Sequence, residues 1–106
     1  MAEILSIAYI RPEEGKDEET LQLLSELYGL MRRKGYSRDL LYRDVKDKGG
    51  RLVHLRYWVS EEARDEAHED PEVHRLWQRL GSISKVEAVL EKLEAIDGTW
   101  SVSAPR

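Results

Sequence analysis

A chain of 106 residues with a formal net charge of −4 has room for one domain, and it lacks the excess of Lys and Arg that a nucleic-acid partner requires. With no Cys in the sequence, disulfides, thiolate nucleophiles and Cys-ligated zinc or iron–sulfur sites are excluded. No apolar run approaches the roughly 20 residues that cross a bilayer, and the run at residues 4–10 is too short for a signal peptide, so a soluble, cytoplasmic protein is expected.

Residues 4–10 read as a strand that is apolar on both faces, with Leu5, Ile7 and Tyr9 on one side and Ile4, Ser6, Ala8 and Ile10 on the other. Pro12 ends it. Residues 15–34 read as a helix. Asp17, Glu18 and Glu19 crowd its first turn, Leu21, Leu24, Leu27, Tyr28 and Met31 form one stripe, and Gly35 is placed to terminate it. The basic group Arg32-Arg33-Lys34 suits the negative end of that helix and needs no anionic partner.

Two strands are expected at 40–47 and 51–59, joined by Lys48-Gly49-Gly50 as a hairpin. The second has a wholly apolar face, Val53, Leu55, Tyr57 and Val59, and a mixed face, Leu52, His54, Arg56 and Trp58. Ser60 can cap the next helix, and Asp70-Pro71 breaks it, with Asp70 capping a second segment that carries Val73, Leu76, Trp77 and Leu80 on one side. At 84–97 the periodicity of Val86, Val89, Leu90, Leu93 and Ile96 favours a helix, and Ser84 with Glu87 could form a capping box.

The order strand, helix, hairpin, broken helix suggests a ferredoxin-like βαββαβ unit short of its last strand. At this point the chain resembles the antibiotic biosynthesis monooxygenase superfamily of dimeric α+β barrels. The carrying residues are Arg11-Pro12-Glu13-Glu14-Gly15-Lys16, Gly35-Tyr36, the junction Tyr57-Trp58-Val59-Ser60-Glu61-Glu62-Ala63, Ala67-His68-Glu69-Asp70-Pro71, and Ile96-Asp97-Gly98. The resemblance implies an α+β fold, with an antiparallel sheet and its helices on one face, over residues 1–98. It makes 90–96 the fourth strand against the local periodicity and leaves 99–106 as a tail, with Trp100 as its anchor. It also implies a homodimer. A sheet apolar on two sides exposes a patch larger than soluble monomers tolerate, and packing two such faces together buries on the order of 800 Å² per partner.

Enzymes of this superfamily typically oxygenate polycyclic phenols or quinols without metal or flavin, by removing a proton so that the carbanion reacts with oxygen. On that basis His68 is the candidate catalytic base, against the plainer reading of a surface helix histidine beside Glu69 and Asp70. If the apolar face of their strand meets the helices, the mixed face lines a cavity between the two sheets, where His54 would orient a phenolic oxygen and Arg56 stabilise an anion. Equally, both could serve dimer contacts or pair with carboxylates such as Asp44. Trp58, Tyr42 and Trp77 would wall an aromatic pocket, or belong to the core. No cofactor and no metal are expected. The heme-ligating His and pocket Trp of heme-degrading relatives align with Trp77 and Ala67, and His68 and His74 lack zinc-ligand spacing. Two functions stay open: a cofactor-independent monooxygenase of an aromatic or quinol-type small molecule, and a non-catalytic dimeric module that binds or senses one.

Overall fold

The computed structural model describes residues 4–96. The elements run β1 (Ile4–Pro12), α1 (Asp17–Arg33), β2 (Ser37–Arg43), β3 (Leu52–Trp58), α2 (Glu61–His68), α3 (Pro71–Ile83) and β4 (Ser84–Glu94). The strands form one antiparallel sheet in the order β2-β3-β1-β4, the ferredoxin-like arrangement. Among the described residues no helix is long and apolar enough to cross a membrane.

Local chemistry explains the helix ends. Gly35, at φ +74°, closes α1 in a Schellman motif: Tyr36 N–H bonds Met31 C=O and Gly35 N–H bonds Arg32 C=O. Ser60 Oγ accepts from Ala63 N at 3.0 Å to start α2, and Asp70 accepts from Glu72 N and Val73 N to start α3, with Pro71 at the first position. The buried face of α1 is Thr20, Leu23, Leu24, Leu27, Leu30 and Met31, so the stripe is turned slightly from the expected one and leaves Leu21 exposed.

The hairpin is longer than Lys48-Gly49-Gly50 alone. β2 begins at Ser37 and stops at Arg43, and Asp44 and Asp47 build successive turns before β3. Asp47 accepts from Arg51 N at 2.9 Å and from Arg11, tying this loop to the end of β1.

The whole of 84–94 is strand, not helix, and Ser84 donates to Leu80 C=O instead of opening a capping box. Two register shifts against β1, between Leu5 and Ile7 and between Ile7 and Ala8, explain the misleading pattern. Each inserts an extra residue, which resets the alternation and imitates a helical spacing of apolar residues. The long ladder that β4 makes with the second edge of β1 then decides its conformation over local preference. Asp97, Gly98 and the tail at 99–106 lie outside the described residues.

The core lies between the helices and one face of the sheet, where Ile4, Ile10, Leu52 and Trp58 meet Leu24, Leu27 and Met31 of α1 and Val73, Leu76 and Leu80 of α3. The side of β3 that meets the helices is therefore the mixed one, Leu52, His54, Arg56 and Trp58. Val53, Leu55 and Tyr57 look away from them, together with Leu5, Ile7 and Tyr9 of β1, all partly exposed. This is the reverse of the orientation on which a cavity between two sheets depends. The polar residues instead face a space inside one subunit.

Candidate functional site

Between sheet and helices lies a cavity of about 320 Å³. Its apolar wall is made by Leu24 and Leu27 of α1, Leu80 of α3, Ala8 and Ile10 of β1, and Val86, Ala88 and Leu90 of β4. That volume falls at the lower end of small-molecule sites, which span roughly 300–1,000 Å³. His54, Arg56, Trp58, His68 and Trp77 all line it. Tyr42 does not. It lies opposite Val53 on the open side of the sheet, 55% exposed, because residue parity along β2 sends it there.

His68, at the last turn of α2, is exposed as a residue, yet its ring forms part of the cavity lining between two indoles. Its centroid is 5.9 Å from that of Trp58 and 5.3 Å from that of Trp77. Nδ1 lies 2.7 Å from the carbonyl oxygen of Arg64. A carbonyl only accepts, so Nδ1 carries the hydrogen and Nε2 of the neutral ring presents a lone pair. The His68 carbonyl in turn accepts from His74 Nε2, which ties the end of α2 to α3.

The floor of the cavity is polar and almost fully paired. Arg56 donates from Nε to Asp39 Oδ1 at 2.7 Å, with side-chain exposures of 6% and 0%. Burial pushes the Asp39 carboxyl up while the Arg56 charge and hydrogen bond pull it back. Arg56 thus arrives with its charge compensated, which makes it a fixed hydrogen-bonding group and not a free cation. Its partner is Asp39, not Asp44, which pairs with Arg51 at 2.6 Å. Trp58 Nε1 donates to Ser6 Oγ at 3.0 Å, and Ser6 Oγ donates to Glu91 C=O at 2.7 Å. His54 Nδ1 lies 2.5 Å from the Tyr28 hydroxyl, and burial followed by the nearby Arg56 charge pushes the imidazole down to about 3, so the ring is neutral.

Tyr28 and Asp39, the partners of His54 and Arg56 behind the cavity lining, are not singled out by the sequence. Tyr28 sits in the apolar stripe of α1, and the available signal is that a phenol in such a stripe needs a polar partner across the core. Asp39 falls outside the expected strand, so its register opposite Arg56 is invisible until β2 is seen to start at Ser37. Among the described residues no three His, Cys, Asp or Glu side chains converge as a metal-binding group would.

A four-stranded antiparallel sheet in ferredoxin-like order, with a cavity under its helices, defines a ferredoxin-like α+β domain. Residues 4–80 match the family model described as antibiotic biosynthesis monooxygenase, and the chain belongs to that family. No curated protein matches the sequence. Among solved structures, the fold is similar to that of SnoaB, a cofactor-independent oxygenase from Streptomyces nogalater. The TM-score is 0.76 at 20% identity, over 91% of this chain and 95% of that one. Rv0793 from Mycobacterium tuberculosis gives 0.74 at 21% identity, over 91% and 97% of the two chains. A conserved protein from Bacteroides thetaiotaomicron described as a possible oxidoreductase gives 0.75 at 13% identity, over 89% and 98%.

Proposed function

We propose that the protein is a cofactor-independent monooxygenase of an electron-rich aromatic or quinol-type molecule, with His68 as its base. The observation that carries this reading is an apolar cavity flanked by two indoles and bordered by an imidazole whose bare Nε2 is set by the Arg64 carbonyl. An activated ring methylene gives a proton to Nε2, and the resulting carbanion passes electrons to dioxygen. The balance closes without another reductant: one oxygen atom becomes the ring carbonyl, and the other leaves as water with the two hydrogens of the methylene. Trp58 and Trp77 supply flat surfaces for the ring, while the paired floor of His54 and Arg56 orients its oxygen.

A homodimer belongs to the same proposal. The open face carries Leu5, Ile7, Tyr9, Val53, Leu55 and Tyr57 beside the exposed Leu40, Tyr42 and Val89, and a second copy covers it. The cavity lies behind the sheet from that face, so each subunit holds its own site.

Oxygen uptake by pure, metal-free protein with anthrone-type and quinol substrates tests the reaction. The expected result is turnover that falls roughly 10²- to 10⁴-fold in His68→Ala, with an unchanged melting temperature. Absence of uptake with every substrate, while an aromatic ligand raises the melting temperature, would replace the enzyme by the non-catalytic binding module.

A further inference from the structure

The cavity holds a second histidine whose role differs from that of the base. His54 is 8% exposed on the helix side of β3, and Tyr28 of α1 stacks against it with ring centroids 5.4 Å apart. Burial raises the Tyr28 phenol above its ordinary range, so the hydroxyl keeps its proton, and His54 Nδ1 is its one hydrogen-bond partner among the described residues. The phenol donates and Nδ1 accepts. The hydrogen of the neutral imidazole therefore sits on Nε2.

That Nε2–H has no acceptor among the described residues. Nor is it sealed away, because the buried side-chain nitrogens and oxygens without a partner among these residues are Thr20 Oγ1 and Arg51 Nε alone. It is a donor held ready in the lining of an apolar cavity. Its neighbour Arg56 is already compensated by Asp39, so no spare positive charge stands beside it.

We infer that His54 Nε2–H anchors a carbonyl oxygen of a neutral polycyclic ketone or quinone-type substrate, and that Tyr28 is the positioning residue that fixes the required tautomer. The inference rests on reading this cavity as the substrate site. At that donor a carboxylate would exchange its hydration for a single neutral hydrogen bond and is disfavoured, since Arg56 is committed to Asp39 and Arg64, the other arginine of the lining, belongs to α2 beside His68. A ketone gains in two stages. It is first held in place by an ordinary hydrogen bond. When His68 takes the proton from a carbon conjugated with that carbonyl, the negative charge spreads onto the anchored oxygen and the same bond becomes charge-assisted.

Anaerobic binding to the wild-type protein tests this without turnover, using an anthrone-type ketone, the parent anthracene and anthracene-9-carboxylate. The ketone should bind about 3- to 10-fold more tightly than the hydrocarbon, the range of one net hydrogen bond, and the carboxylate most weakly. His54→Leu should erase the preference. Tyr28→Phe should reduce it, and ¹⁵N spectra should show His54 as the Nε2–H tautomer in the wild type and as a mixture in Tyr28→Phe. Equal binding of ketone and hydrocarbon, tighter binding of the carboxylate, or an Nδ1–H signal from wild-type His54 would overturn the assignment. Ketone selectivity without oxygen uptake would retain it and remove the oxygenase, whereas uptake without selectivity would do the opposite.

Discussion

The two faces of the sheet invert the usual distribution of polarity. The face under the helices carries Ser6, His54, Arg56 and, from β2, Asp39, each held by a named partner. The face without helices carries Leu5, Ile7, Tyr9, Val53, Leu55 and Tyr57, with the Arg38 and Arg51 guanidiniums lying over the rings of Tyr57 and Tyr9, each 4.1 Å from the centroid. A polar group is tolerated in an interior only when it is bonded, and a broad apolar surface is tolerated outside only when another surface covers it. The proposed ligand site thus lies on the covered face and the proposed dimer contact on the bare one, so the two proposals can be tested separately although β1 and β3 contribute to both.

The largest effect expected from breaking this division comes from a charge on the bare face. Leu55 is central in β3, opposite Ile7 of β1 and Leu40 of β2. Leu55→Asp would bury an uncompensated carboxylate in the proposed dimer, at a cost of several kcal/mol. Sedimentation at micromolar concentration should show a dimer for the wild type and a monomer for the variant. A wild-type monomer would remove the proposed assembly.

The covered face should respond through folding and not through assembly. Asp39→Ala leaves the Arg56 guanidinium buried and unpaired, and should lower stability by about 3–5 kcal/mol in denaturant melts. Replacing both partners by apolar residues, Asp39→Leu with Arg56→Met, should recover most of that loss, since a buried ion pair contributes little net stability over good packing. A single variant that melts like the wild type would mean that Arg56 reaches water and that the floor is open.

How much of this was legible in the sequence depends on the range of the interactions involved. Gly35, Ser60 and Asp70-Pro71 mark helix ends through bonds within a few residues, and the structure has all three where the sequence places them. The limits of β2 and the nature of β4 depend on partners far away in the chain. Two bulges were enough to give the 84–94 strand a helical spacing, and the superfamily resemblance outweighed that spacing only over its later part. His54, Arg56, Trp58, His68 and Trp77 could be nominated by chemistry, but the choice of face could not. Val53, Leu55, Tyr57 and Val59 look more core-like than the mixed row, and the expectation of a partner does not by itself say which of the two rows it covers. Tyr42 was misplaced for the same reason, since it shares that outward parity.

Asp70 belongs to neither face and provides an internal control. One oxygen caps α3, and the other accepts from Lys34 Nζ and Tyr36 Oη, each at 2.7 Å, so the start of α3 is clamped to the end of α1. The Lys34 hydrogen bond, followed by that of Tyr36, holds the carboxyl at about 2. Its unfolded value lies near ~3.9, and the folded value is the lower of the two. The stabilisation is therefore complete above the unfolded value and is lost as pH falls toward about 2. Asp70→Ala should lower stability at neutral pH by about 1–2 kcal/mol, the upper range for a helix cap. It should also flatten the melting temperature across the acid window, so that variant and wild type converge at its lower end. Because the clamp is intramolecular, this difference should not change with protein concentration, whereas the effect of Leu55→Asp should. Parallel acid profiles for the two proteins would show that Asp70 contributes geometry without pH-linked stability.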